Sequence, residues 1–260
     1  MPERDLALLT DAAREAGRIA LHWWKRDPRV WDKGAGAGPV TEADLAVNDM
    51  LLSQLGRERP DYGWLSEESE DGAARQGAER CFIIDPIDGT RAFIAGEDTF
   101  AHSLAVAERG RVVAAVVYLP VLDRLYSAAV DGPALLNGQP IAASAQAGIA
   151  GATVLTTAPN LLAEHWPGGV PEFKRSFRAS LAYRLCLVAE GRHDGMVMLR
   201  DAWEWDIAAG DLIARRAGAV VTDRHGAELV FNAVQPKAAG VLAAAPGLHA
   251  ALMERLRPAG

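Results

Sequence analysis

Apolar positions recur with a helical period over residues 5 to 24, where Leu9, Ala12, Ala16, Ile19, Ala20 and Trp23 fall on one face and predict a first helix. A second helical pattern runs through Leu45, Leu52 and Leu55. It opens at Thr41-Glu42-Ala43-Asp44, which has the form of a capping box with aspartate at the third helical position. The glycine-rich stretch Gly34-Ala35-Gly36-Ala37-Gly38-Pro39 ahead of it predicts a flexible approach to a fixed helix start. From Arg80 to Ile141 the texture changes to short apolar runs: Cys81 to Ile84, Ser103 to Ala107, Val112 to Leu119, Leu125 to Ala129 and Leu135 to Ile141. These predict strands. Glu108-Arg109-Gly110-Arg111 and Asn137-Gly138 are tight-turn signals between neighbouring runs, so the strands are expected as an antiparallel meander rather than as parallel crossovers.

Beyond residue 150 the pattern alternates. Strands are expected at 153–157, 195–199, 219–222 and 240–245, and helices at 180–190, 206–217 and 248–256, the first two helices closed by Gly191 and Gly218. Residues 1–150 thus read as an α+β half, two helices on an antiparallel sheet, and residues 151–260 as an α/β half.

Composition narrows the class. Half of the 260 residues are hydrophobic and 23% are charged, which excludes disordered, collagenous and coiled-coil chains. Cys81 and Cys186 each sit inside an apolar run and read as small buried hydrophobes in a reducing compartment rather than as a disulfide. The N-terminus shows no signal-type segment, and no apolar run approaches the length of about 18 residues that a membrane span needs. A cytoplasmic protein with no membrane partner is expected, and a homodimer is left open. The formal charge of −7, with scattered basic residues, argues against a nucleic-acid polymer as partner. It also sets a condition: an anionic substrate would be repelled unless cations or a local set of donors reverse the field at the site.

The candidate chemistry lies in carboxylates at element ends. Phe82-Ile83-Ile84-Asp85-Pro86-Ile87-Asp88-Gly89-Thr90 is an apolar run that delivers two aspartates into a turn. Asp85 and Asp88 can face one point only if the backbone bends sharply between them, which Pro86 and Gly89 favour, and oxygen-only ligands suit Mg²⁺. An ordinary turn capped by aspartate is the competing reading. Glu67-Glu68 and Asp206 add acids from two other places in the chain, although paired glutamates also suit a solvated face and Asp206 also suits a helix cap. Gly89-Thr90 opening a short helix would offer amides to phosphate oxygens. The letters exclude several alternatives. Pro86 stands where an aspartyl-phosphate enzyme needs an acid, no G-x-x-x-x-G-K-[ST] loop is present, and none of the six histidines has a zinc-protease spacing.

The motifs Ser66-Glu67-Glu68-Ser69, Asp85-Pro86-Ile87-Asp88-Gly89-Thr90 and Trp205-Asp206-Ile207-Ala208-Ala209-Gly210 together resemble those of the inositol monophosphatase superfamily, in the family's order and across nearly the whole chain. The resemblance implies an αβαβα layered sandwich with the active site between the halves, and a Mg²⁺-dependent, lithium-sensitive phosphatase carrying two or three ions. Residue by residue, it implies that Glu67, Asp85 and the Ile87 carbonyl hold one Mg²⁺ while Asp85, Asp88 and Asp206 hold a second. Thr90 with Asp44 would orient the attacking water, the Gly89 and Thr90 amides would bind phosphate, and Lys33 resembles a lysine near the phosphate.

For the substrate, a small phosphorylated metabolite, the resemblance divides. Inositol-preferring members carry a glutamate seven positions before the last metal aspartate, where this chain has Leu199. Ser180-Leu181 and Cys186-Leu187-Val188-Ala189-Glu190-Gly191 look more like 3′(2′),5′-bisphosphate nucleotidases, with Arg200 meeting a second phosphate and Trp203 offering a face to a base. Inositol-1-monophosphatase, histidinol-phosphatase and fructose-1,6-bisphosphatase activities are the alternatives within enzymes. An inactive metal-binding scaffold is the alternative outside them, against which every motif acid is present.

Overall fold

The computed structural model describes residues 2–34 and 38–256. The chain opens with α1 (Pro2–Trp23), an antiparallel hairpin of β1 (Val30–Asp32) and β2 (Pro39–Thr41), and α2 (Glu42–Glu58). The capping box is present: the Thr41 hydroxyl accepts from the Ala43 and Asp44 amides, and the Asp44 carboxylate accepts from the Thr41 amide at 2.8 Å. The glycine-rich stretch is flanked by paired strands, with the Lys33 amide donating to the Gly38 carbonyl at 3.0 Å. Ala35, Gly36 and Ala37 lie outside the described residues.

A seven-stranded sheet follows: β3 (Gly63–Ser66), β4 (Arg80–Asp88), β5 (Ala101–Glu108), β6 (Arg111–Leu119), β7 (Arg124–Ala129), β8 (Leu135–Leu136) and β9 (Gln139–Pro140), in that spatial order. The one-turn helix α3 (Thr90–Ile94) lies between β4 and β5. The meander from β4 onward is antiparallel, as predicted, but β3 adds a parallel edge beside β4. Its two apolar letters, Trp64 and Leu65, are too few to show alternation.

The second part contributes β10 (Thr153–Leu155), β11 (Lys174–Ser176), α4 (Leu181–Ala189), β12 (Gly195–Met198), β13 (Ala202–Trp203), α5 (Glu204–Arg216), β14 (Val220–Thr222), β15 (Lys237–Ala238), β16 (Val241–Ala244) and α6 (Pro246–Leu256). Five of these strands form a mixed sheet in the order β11-β10-β12-β16-β14, while β13 and β15 make a separate ribbon.

Strand alternation builds the layers. On β4, Phe82 and Ile84 pack with α1 and α2, whereas Cys81 and Ile83 pack on the opposite face with α4 and α5. On β12, Met196 and Met198 face that same central core, whereas Val197 and Leu199 join Leu248 and Leu252 of α6. The order is helices, sheet, helices, sheet, helix: the αβαβα sandwich. Cys81 and Cys186 are both fully buried and unbridged. Gly210 sets the closeness of the central pair of helices, because a Cβ there would lie 2.5 Å from a Leu185 side-chain atom. Among the described residues no helix is long and apolar enough to cross a membrane.

Candidate active site

β4 bends where the sequence places proline. Asp85 pairs with Ser103 and Asp88 with Ala101, so Pro86 and Ile87 together stand opposite His102 alone. That is a bulge, and proline, lacking an N–H for the ladder, suits the extra position. Gly89 then turns at φ +96, a conformation that side chains resist, with the Ser180 backbone 3.3 Å from where a Cβ would sit. The two features together carry Asp85 and Asp88 into one cavity.

Asp85 meets two acids there. Glu67, just past β3, Asp85 on β4 and Asp206 in the first turn of α5 each bring a carboxylate oxygen within 4.8 Å of the others. Burial pushes the Asp85 and Asp206 carboxyls well above the ordinary range, and the neighbouring acids push them further. Asp85 Oδ1 is buried without a hydrogen-bond partner. Three converging carboxylates, one with an orphaned oxygen, are costly for a protein by itself and are the hard-oxygen donor set that a divalent cation requires. The residues present fit such a cation.

Around the cluster lies a cavity of about 720 Å³, lined on one side by Glu67, Asp85, Asp88, Gly89, Thr90 and Asp206 and on the other by Phe177, Arg184 and Arg200. Acids and arginines share one space.

The description "Inositol monophosphatase family" belongs to the family model that matches residues 1–259. The chain belongs to this family. It is 39% identical over 197 residues to an inositol-1-monophosphatase of Rhizobium meliloti, covering 72% of this chain and 73% of that protein. It is 31% identical over 235 residues to a histidinol-phosphatase of Chlorobaculum parvum, covering 88% of this chain and 89% of that protein. The extragenic suppressor protein suhB from Bartonella henselae superposes with a TM-score of 0.82 at 28% identity, covering 98% of each chain. The chain is therefore an inositol monophosphatase family phosphatase, a phosphoric monoester hydrolase acting on phosphorylated metabolites.

The family motifs fall unevenly on the site. Asp88 lines the cavity but stands outside the tight cluster, because its Oδ2 accepts from the Ser180 hydroxyl at 2.7 Å and the Ala182 amide at 2.6 Å. Burial raises its pKa to about 6 even against those bonds. Ser180 is accordingly placed as the N-cap of α4 and the clamp on Asp88, fully buried, rather than as a substrate contact. The Ile87 carbonyl accepts from the Thr90 hydroxyl at 3.1 Å, and Asp44 Oδ1 lies 3.3 Å from the same hydroxyl. Asp44 thus holds the capping box with Oδ2 and faces Thr90 with Oδ1. Its pKa rises to about 6, from burial opposed by its bonds to Thr41.

Lys33 reaches the site. Its ammonium lies 2.8 Å from Glu67 Oε1 and 2.5 Å from Glu68 Oε1. Burial disfavours the charge, yet the two glutamates outweigh burial and raise the Lys33 pKa. Glu68 stands outside the cluster, and burial lifts its carboxyl to about 7. Trp203 corrects an expectation: its ring stacks on Trp205 at 4.6 Å, the Lys237 ammonium sits 3.9 Å from its centre, and it does not line the cavity. A base would find both faces taken. Asp206, for which a helix cap was the competing reading, is the third residue of α5, whose N-cap is Trp203 without a side-chain bond.

Sequence reasoning missed Arg184, Phe177 and His102. A signal existed for two of them. Arg184 is the one charged letter in the buried run Leu181 to Ala189, and His102 the one ionisable letter between Ala101 and Ala107. Phe177 carried none.

Proposed function

We propose that this phosphatase depends on Mg²⁺ held by Glu67, Asp85 and Asp206, with Asp88 and the Ile87 carbonyl beside them, and that its substrate carries a second anionic group, with 3′-phosphoadenosine 5′-phosphate as the specific case. The observation that carries the reading is the pair of arginines facing the acid cluster across one cavity. Arg184 is only 5% exposed; its guanidinium donates to the Arg178 and Ala179 carbonyls and lies 4.5 Å from the Phe177 ring centre, so its direction is fixed before substrate arrives. Arg200 extends into the cavity from the turn after β12, which Asn160 holds by accepting from the Leu199 amide at 3.0 Å. Phe177, 52% exposed on the cavity wall, takes the base-stacking role first assigned to Trp203.

When bound, the divalent cation neutralises phosphate oxygens and acidifies the attacking water for an in-line displacement. The chain supplies the rest. The Thr90 hydroxyl would accept from that water while donating to Asp44 Oδ1, so the water's proton passes to Thr90 as the Thr90 proton passes to Oδ1, Oδ2 being held by Thr41. The Gly89 and Thr90 amides bind phosphate oxygen. The named relatives favour inositol 1-phosphate or histidinol phosphate as a second reading. Against direct ring recognition, Leu199 is buried in the α6-side core, where it offers hydroxyls no partner.

The test is kcat/KM for 3′-phosphoadenosine 5′-phosphate and inositol 1-phosphate on one preparation, with Arg200→Ala and Phe177→Ala beside it. The nucleotide should be preferred at least about tenfold, and Arg200→Ala should lower its value about tenfold more than that of inositol 1-phosphate, from the loss of one charged hydrogen bond. A preference for inositol 1-phosphate, or equal losses on both substrates, overturns the second-anion reading and leaves the phosphatase chemistry standing.

A further inference from the structure

We infer that His102 and Ser103, adjacent on β5, are positioning residues that hold the two separately encoded segments of the acid cluster in register. Successive residues of a strand point to opposite faces, and each of these two reaches a backbone carbonyl next to a clustered aspartate. His102 Nδ1 bonds the Pro86 carbonyl, immediately after Asp85. The Ser103 hydroxyl donates to the Trp205 carbonyl, immediately before Asp206, at 2.9 Å. Asp85 belongs to β4 and Asp206 to α5, so the two side chains set from one strand the spacing of carboxylates that arrive from different layers.

His102 is the less ordinary of the two. It stands alone opposite the two bulged residues, where the ladder is interrupted, and its side chain answers the carbonyl there. A carbonyl can only accept, so Nδ1 carries the proton and Nε2 is the unprotonated nitrogen. Nε2 is buried without a partner, and the imidazole neighbours the rings of Phe100 and Tyr118. An apolar residue would avoid that unmatched acceptor, so the bond to Pro86 is what the imidazole contributes. Burial holds the imidazole pKa down to about 4, which keeps this tautomer neutral at working pH.

The inference rests on the cation reading of Glu67, Asp85 and Asp206 and is independent of the substrate. It is tested by the Mg²⁺ concentration that half-saturates the substrate-free protein, fitted from the logarithmic dependence of its Tm on Mg²⁺, compared for wild type, His102→Asn, His102→Gln, His102→Leu and Ser103→Ala. Asparagine branches as the imidazole does and places an N–H where Nδ1 stands, so His102→Asn should stay within about twofold of wild type. Gln, Leu and the serine variant should raise the half-saturating concentration about tenfold, the lower end of what outer-shell partners of a metal site contribute. A purely structural role would lower every melting temperature and leave half-saturation unmoved, which overturns the inference. If His102→Leu does not fold, equal half-saturation for the Asn and Gln variants overturns it as well. A wild type that shows no Mg²⁺-dependent shift removes the cation reading itself, and the inference with it.

Discussion

Asp85→Asn should make the metal-free protein more stable and the enzyme inactive. At an effective dielectric near 20, two unit charges 4.8 Å apart, the widest spacing in the cluster, repel by about 3.5 kcal/mol. The metal-free acids escape part of that cost by taking up protons, which is why burial and neighbours drive the Asp85 and Asp206 carboxyls upward. Of what remains at neutral pH, removing the Asp85 charge should return about 2 kcal/mol. No hydrogen bond to Oδ1 is lost, because that atom has no partner. For a chain of this size the gain corresponds to a rise of roughly 4–8 °C in Tm, read by calorimetry in chelator. Addition of Mg²⁺ reverses the ranking. At 100 times the dissociation constant the ion stabilises wild type by about 2.7 kcal/mol and Asp85→Asn hardly at all. Turnover of the variant should fall by a factor of about 100 or more, several kcal/mol of charge stabilisation having been removed. A variant less stable than wild type in chelator, or one with an undiminished Mg²⁺ shift, would refute the electrostatic account of the cluster.

Two further outcomes concern the frame. Gly210→Ala should cost about 1–3 kcal/mol, because its Cβ overlaps Leu185 and separates α5 from α4; circular dichroism melts check the loss, and kcat should fall with it since α5 carries Asp206. His102 gives the fold a pH dependence: its folded pKa of about 4 lies below the ordinary value of 6.5, so the unfolded chain takes the proton first as pH falls through that window. Stability present above pH 6.5 is thereby lost, by about 2 kcal/mol at pH 5. His102→Asn should flatten the difference in Tm between pH 7.5 and pH 5, the acid cluster being common to both proteins, and an unchanged difference counts against the neutral buried imidazole.

The parts of the site that were legible in the sequence are those whose geometry is local. Pro86 and Gly89 bracket a bend that any strand of this composition would make, and Thr41 with Asp44 forms its cap within four residues. What was not legible depends on partners far along the chain. Ser180 reads as a free hydroxyl until Asp88 claims it across the sandwich, and Trp203 reads as an open face until Trp205 and Lys237 cover it. The β1–β2 ribbon was hidden because three-residue strands show no period, and β3 because its pairing with β4 is parallel. The layer order came from the family resemblance, and its physical basis is that Cys81 to Ile84 and Gly195 to Met198 are apolar at every position, as strands covered on both faces must be.

The division of the acid cluster between β4 and α5 has a consequence for biosynthesis. A ribosome releases Glu67 and Asp85 long before Asp206, so the growing chain can complete its first sheet while the cluster still lacks its third carboxylate. Convergence of the three acids then waits for the docking of α5 against that sheet. The cluster is therefore completed only when the second part of the chain docks on the first, so a chain that stops within the first sheet carries Glu67 and Asp85 without Asp206.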